Sequence, residues 1–175
     1  MKPQIDQEKI SKSALSVISK LNKEGFEAYL VGGCIRDLLA ENVPKDFDIA
    51  TNALPQDVKQ IFRNSRIVGK RFQIVHVRFE REIIEVSTFR RLGPKVIENQ
   101  SDSGMILRDN SFGSLEEDSL RRDFGINAIY YNPISKQLID LQGGVEDISR
   151  KVIRSIGPIG LRLREDPVRM LRAIR

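Results

Sequence analysis

Asp46 and Asp48 stand one residue apart in Lys45-Asp46-Phe47-Asp48-Ile49, and this alternation of acid with apolar residue reads as a short strand from Asp46 to Ala50. In a strand both carboxylates leave the same face, about 6–7 Å apart along the chain, while Phe47 and Ile49 bury the other. Two carboxylates sharing one space repel until cations neutralise them, and in phosphoryl-transfer sites a pair of divalent metals about 3.5–4 Å apart does so. An Asp-x-Asp on a solvated strand edge or turn explains the spacing as well, so the pair needs neighbours. Glu85, in Ile83-Ile84-Glu85-Val86, is one. An acid in a β-branched run is either a third metal-bridging carboxylate or an outward-facing position on an edge strand. Upstream, Leu30-Val31-Gly32-Gly33-Cys34-Ile35-Arg36-Asp37 runs a strand through a Gly-Gly turn into a helix. Gly32, Gly33 and Arg36 offer a triphosphate close backbone approach, free helix N–H groups and a forked cation. The Gly-x-x-x-x-Gly-Lys-Ser/Thr and Gly-x-Gly-x-x-Gly patterns are both absent, which argues against P-loop and Rossmann sites.

Three further groups carry charge in patterns worth weighing. Arg121-Arg122-Asp123 closes a capped helix, where two cations suit the helix dipole as readily as they suit a ligand. Glu165, Asp166, Arg169 and Arg172 fall at helical spacing on one face, either as an ion-pair ladder or as acid and arginine presented to a base edge. Residues 162–175 hold five arginines against two acids, within a chain of net charge +5. Clustered arginine suits polyphosphate or nucleic acid, and a solvated basic helix face suits it equally. A single cysteine, Cys34, and a single histidine, His76, leave no soft ligand set for zinc. A metal here must be held by oxygen, which favours magnesium or manganese. His76 reads simply as a strand residue.

The elements that must position these groups follow from periodicity. Ile10, Ala14, Val17, Ile18 and Leu21 predict an amphipathic helix over residues 6–24, with Gly25 as its stop. Phe26 to Val31 reads as a strand, Cys34 to Ala40 as a short helix, and Pro55 opens another with Val58, Ile61 and Phe62 inward. Gly69–Phe79 and Glu82–Phe89 read as a hairpin, with Val75, Val77 and Phe79 on one face and Ile74, His76 and Arg78 on the other. Leu92 to Gly113 has no period and reads as a loop. Ser114-Leu115-Glu116-Glu117 is a capping box that starts a helix through Arg122. Ile126–Tyr131 and Gln137–Leu141 read as two strands around Asn132-Pro133, Gly143-Gly144 leads into a helix, and Val152–Ile156 is a last extended piece. Gly157-Pro158 and Gly160 place a linker at 156–163. Asp166-Pro167 then opens a helix whose apolar stripe is Val168, Leu171 and Ile174. The expected organisation is a domain over residues 1–156 followed by a linker and helical start over 157–175. Nothing resembles a secretory signal or an apolar run of about 18 residues, and a cytoplasmic location is expected.

Four separated motifs carry a resemblance: Gly32-Gly33-x-x-Arg36-Asp37 with Lys45-Asp46-x-Asp48; Ile84-Glu85-Val86-x-Thr88-Phe89-Arg90; Glu116-Glu117-Asp118 with Arg121-Arg122-Asp123-Phe124-x-Ile126-Asn127; and Glu165-Asp166-Pro167-x-Arg169-Met170-Leu171-Arg172. With them the chain resembles the N-terminal portion of the bacterial poly(A) polymerase and tRNA CCA-adding nucleotidyltransferase family, from Tyr29 to Arg175. The resemblance implies an α/β (α+β) polymerase-β-like head, with a mixed, largely antiparallel sheet flanked by helices, then the start of a helical neck; an RNA-binding body would lie beyond. It implies metal ligation (Mg2+ or Mn2+) by Asp46 and Asp48 with help from Glu85, and triphosphate contacts from Gly32, Gly33 and Arg36. It also implies ribose or structural contacts at Arg122 and Asp123, base selection by Asp166 and Arg169, and Arg172 near phosphate. ATP is the implied substrate and RNA 3′ ends the partner. Gly125 stands where Thr or Ser is usual, Ala40 where Gly often sits, and Pro158-Ile159 replaces Asp-Pro. Gly69-Lys70-Arg71-Phe72-Gln73-Ile74-Val75-His76-Val77 and Arg108-Asp109-Asn110-Ser111-Phe112-Gly113 look more like the poly(A) branch, so poly(A) addition is expected. CCA addition is the alternative, and a non-catalytic RNA-binding module is the alternative of another class.

Overall fold

A computed structural model describes residues 5–70, 72–91 and 111–174. Its helices among these residues are α1 (Lys12–Lys23), α2 (Gly33–Leu39), α3 (Pro55–Ile61), α4 (Leu115–Arg121), α5 (Gly144–Ser149), α6 (Ile159–Glu165) and α7 (Val168–Ile174). The strands are β1 (Ala28–Val31), β2 (Asp48–Thr51), β3 (Ser65–Val68), β4 (Ile74–Arg78), β5 (Ile83–Thr88), β6 (Ile129–Asn132) and β7 (Gln137–Asp140). They form one mixed sheet in the order β3-β4-β5-β2-β1-β6-β7, in which β2 and β5 run parallel and every other pair antiparallel. The crossover that a parallel pair requires is made by α3, β3 and β4.

Strand alternation splits the sheet into two faces. On one, Leu30, Ile49, Ile84, Val86, Val75 and Val77 pack under Val17, Ile18 and Leu21 of α1, Ile35 and Leu38 of α2 and Val58 of α3 as the main core. α1 is shorter than its periodicity predicts because Ser11 caps it, its Oγ accepting from the N–H groups of Ser13 and Ala14, and a 3-10 turn at Gln7–Lys9 precedes it. On the other face Val31, Ala50, Phe89, Leu115 and Tyr130 make a smaller cluster, with the rings of Tyr29, Phe89 and Tyr130 about edge-on or tilted to one another. The second cluster is local, and it leaves room beside it for polar side chains.

Several expectations shift. The strand predicted from Asp46 begins instead at Asp48, because β1 ends at its partner Val31 and the chain turns away at Gly32, leaving nothing for Asp46 to pair with. β3 adds a strand beyond the predicted hairpin of β4 and β5. The last extended piece contributes only a bridge between Phe124 and Ser155. The expected linker at 156–163 contains most of α6, with Pro158 at its start and Gly160 inside it. Asp166, at φ −152°, separates α6 from α7, so Glu165 and Arg169 lie on different helices. Val168, Leu171 and Ile174, the predicted apolar stripe, are exposed, and Arg169 is the residue α7 buries. Most of the loop predicted from Leu92, together with Arg71 and Arg108–Asn110, lies outside the described residues; residues 111–113 return to Phe89–Arg91 through backbone hydrogen bonds.

Candidate active site

Register brings residues from six strands into one line across the sheet. Arg66 of β3 lies opposite His76 of β4, His76 opposite Glu85 of β5, Glu85 beside Asp48 of β2, Asp48 opposite Val31 of β1, and Val31 opposite Tyr130 of β6. Paired residues share a face, so Asp48 and Glu85 project together. Burial and the negative charge of Glu85, with a smaller push from Asp46 and against the pull of Arg122, drive the Asp48 carboxyl up to about 6. Asp46 is exposed and precedes the strand, so it reaches this charge from the loop and not from the pleat. The Glu85 side chain is about half exposed, at 49%.

The turn before α2 approaches this row closely. Gly32 has φ +79°, and a Cβ built there would stand 3.7 Å from Asp48 Oδ2 and 3.9 Å from Arg122 Nη1. Backbone, carboxylate and guanidinium therefore meet at one point. Gly32→Ala places a side chain in a left-handed backbone and at that junction, and is expected to cost about 1–2 kcal/mol of stability. Urea unfolding reads that loss.

Arg122 is held from two sides. Its Nε and Nη2 donate to Asp118 Oδ2 at 3.1 and 3.0 Å, Nε also donates to Tyr130 Oη at 2.9 Å, and the guanidinium lies 5.1 Å from the Tyr130 ring centre. Burial opposes its charge, but Asp118 and Tyr130 outweigh burial and raise its pKa. Asp118 is itself saturated: Oδ1 accepts from the Arg90 N–H at 3.0 Å and Oδ2 from Tyr130 Oη at 2.7 Å. The predicted motif contains Asp118, but its role as the hub of this network is visible only once β6 is placed beside β1.

The other predicted residues form a polar chain. Arg36 donates to Asp37 Oδ1 through Nε and Nη2, at 2.9 and 2.8 Å, and through Nη1 to Asn127 Oδ1 at 3.1 Å. Asn127 Nδ2 donates to Asp123 Oδ1 at 3.1 Å, Arg172 Nη1 lies 3.4 Å from Asp123 Oδ2, and Arg172 Nη2 lies 3.5 Å from Asp166 Oδ2. Asp166 Oδ1 is buried with no hydrogen-bond partner among the described residues. Arg169 donates to Arg162 O at 3.0 Å and Glu165 Oε2 at 3.2 Å, so it ties α7 to α6. Arg162, which the sequence marks only as one of the clustered arginines, ties α6 to α4: its Nη2 reaches the carbonyls of Leu120, Arg121 and Arg122 at 3.3, 2.6 and 2.6 Å, where a helix end leaves acceptors unpaired. Burial, and then the charges of Arg90, Arg162 and Arg169, lower Arg121 to about 10.

Residues 28–154 match the model of the poly A polymerase head domain. The chain belongs to that family. Among curated members it is 52% identical over 176 residues to poly(A) polymerase I of Salmonella typhi, covering 98% of this chain and 38% of that protein. It is 42% identical to the CCA-adding enzyme of Geobacillus thermodenitrificans, covering 100% of this chain and 40% of that protein. The crystal structure of the Bacillus stearothermophilus CCA-adding enzyme in complex with CTP superposes with a TM-score of 0.76 at 40% identity, over 92% of this chain and 37% of that one. The chain thus spans about two fifths of the length of the relatives it matches. The head family's mixed sheet with flanking helices is the fold seen here. A Cβ at Gly125 would stand 2.6 Å from Asp147 Oδ2, so glycine there makes room for the buried Asp147.

Proposed function

We propose that this chain is the nucleotide-holding head, residues 1–156, and first neck helices, residues 157–175, of a cytoplasmic, template-independent RNA 3′-end nucleotidyltransferase that adds AMP from ATP. The observation that carries the choice of poly(A) addition is the 52% identity to poly(A) polymerase I across 98% of the chain. In the reaction an RNA 3′-hydroxyl loses its proton to water as its oxygen bonds to the α-phosphorus of ATP, the α–β phosphoanhydride breaks, and pyrophosphate leaves with its electron pair.

The donor set fits a hard divalent cation. The Asp48 carboxyl is pushed up by its own burial and by Glu85 and Asp46, all three offer only oxygen, and Arg122 is the cation that offsets Asp48. No closed cluster of three ligating side chains forms among the described residues. Magnesium sites commonly use one or two carboxylates and complete the shell with phosphate and water, so an open arrangement suits a metal that arrives with a nucleotide. Bound there by Asp46, Asp48 and Glu85, Mg2+ or Mn2+ would activate the hydroxyl and neutralise charge on the phosphates. Gly32 admits the triphosphate to the edge of Asp48, Gly33 extends that close backbone approach, and Arg122, fixed by Asp118 and Tyr130, stands ready for an anionic oxygen. Asp166 Oδ1 offers an acceptor to the exocyclic amine of a base, and Arg172 links it to Asp123.

CCA addition is the second reading, supported by the CCA-adding enzymes among the relatives and the superposed structures. Separate incubation with each nucleotide, on an RNA ending in oligo(A) and on a tRNA lacking its end, distinguishes the two when the protein is assayed at its full natural length. AMP incorporation on the oligo(A) RNA is expected, and CMP incorporation on the tRNA would overturn the assignment. A non-catalytic RNA-binding module would bind RNA in a salt-sensitive way without binding ATP in a magnesium-dependent one.

A further inference from the structure

We propose that His76 is a positioning residue for Glu85, holding that carboxylate toward Asp48 so that the two present oxygen to one divalent cation. The proposal rests on the metal reading above. Glu85 lies on an inner strand but is half exposed, and among the described residues its carboxylate has no ion pair or hydrogen bond other than the approach of His76. A glutamate in that position has no reason to stay over the sheet: rotation toward solvent separates it from the like charge of Asp48. The His76 Nε2 atom is 3.2 Å from Glu85 Oε1. It is also buried and makes no hydrogen bond among the described residues, so a ring nitrogen without a partner stands beside a carboxylate oxygen.

The register makes this pairing specific. His76 and Glu85 are directly opposite on the antiparallel strands β4 and β5, and Glu85 is directly beside Asp48 on β2. On the far side of His76 lies Arg66, which leaves Glu85 as the acid across the ladder. Ligating groups are oriented by hydrogen bonds one step away from the metal, and losing such a partner weakens metal binding by about 10–100-fold. Serine, threonine or valine would suit the strand at position 76 as well as histidine does. Only a side chain with a donor at imidazole reach would span the ladder to the glutamate.

The chain contains one histidine, so its ring C–H signals in a proton NMR spectrum belong to His76 without assignment. Glu85→Gln is expected to shift those signals, and substoichiometric Mn2+ is expected to broaden them in the wild-type chain. In a titration of Mg2+ at fixed ATP, His76→Ala is expected to raise the metal concentration for half-maximal nucleotide binding by about 10-fold, with His76→Gln recovering most of the loss through its amide donor. A purely structural role would leave that metal dependence unchanged, and this result overturns the proposal, as does a histidine signal indifferent to Glu85→Gln. If Mn2+ leaves the wild-type signal sharp, the metal reading fails and the proposal fails with it. Broadening by Mn2+ with no effect of either substitution defeats the proposal alone.

Discussion

On the metal role proposed for Asp48, Asp48→Asn in the full-length protein is expected to abolish nucleotide addition, while making the metal-free fold more stable at neutral pH. The loss of activity should exceed about 10³-fold, because a carboxylate that holds a catalytic cation contributes several kcal/mol to the transition state. The gain in stability follows from linkage. Burial and the negative charge of Glu85 raise Asp48 from an ordinary 3.8 to about 6, so between those values the folded chain binds more protons than the unfolded one. The contribution of Asp48 to stability is therefore fully present below about pH 4, falls as pH rises, and is gone above about pH 6. The penalty at pH 7.5 is about 1–3 kcal/mol once the partial exposure of the group is allowed for. Urea unfolding in EDTA at pH 4.5 and 7.5 measures it. The wild type should lose stability across that interval, and Asp48→Asn should not show this loss. A variant less stable than wild type at pH 7.5 in EDTA would mean that the carboxylate is satisfied without metal, contrary to the charge crowding described.

Asp118→Ala is expected to act in the opposite sense, destabilising the fold and disabling the site together. Its carboxylate accepts from Arg122, Tyr130 and the Arg90 backbone N–H, so truncation strands a buried cation and two further donors. Removing one partner of a buried, hydrogen-bonded charge pair costs about 3–5 kcal/mol, a large share of the about 5–15 kcal/mol that holds a domain together. Asp118→Asn keeps an acceptor oxygen and is expected to fall between. Glu146→Ala provides the contrast: Glu146 pairs with Arg150 at 3.0 Å on the surface, both side chains are mostly exposed, and its loss should cost less than about 0.5 kcal/mol. Urea midpoints of the three variants test the order. If Asp118→Ala unfolds no more easily than Glu146→Ala, the network around Arg122 does not hold the site.

What could be read from the sequence was what local pattern carries. The capping box at Ser114, the proline-led helix at Pro55, the alternation of Val75 and Val77 against His76 and Arg78, and the Gly-Gly turn all describe neighbours in the chain, and they stand in the structure. Pairing was not legible in the same way. The β-branched run around Glu85 marks it as a strand residue but cannot say that β5 lies parallel to β2 with Glu85 beside Asp48. β3 was missed because Ser65-Arg66-Ile67-Val68 is too short to show a period, and α6 was missed because Gly157, Pro158 and Gly160 read as breakers. Asp118 stands in the sequence only as the last residue of the Glu116-Glu117-Asp118 motif. Its meaning depends on Tyr130, twelve residues away and brought to it by strand pairing. The exposed stripe on α7 is the same lesson from the other side: Val168, Leu171 and Ile174 have the right spacing to be buried, yet the buried contact is made by Arg169 through carbonyl oxygens.

The parallel pairing of β2 with β5 also sets an order of events during folding. The ends of that pairing are separated in the chain by α3, β3 and β4, and the pairing of β1 with β6 spans a longer stretch still. Closing such loops costs entropy before any contact repays it, so distant pairings form slowly and the hairpin of β4 and β5 can form first. His76 and Glu85 then meet early, as hairpin neighbours, and Asp48 joins them only when the sheet closes. The mutual repulsion of Asp48 and Glu85 arises in that late step. If the proposed cation site exists, a chain refolded with magnesium and nucleotide present should differ from one refolded in EDTA chiefly in how slowly it unfolds, because that site is complete only once the sheet has closed.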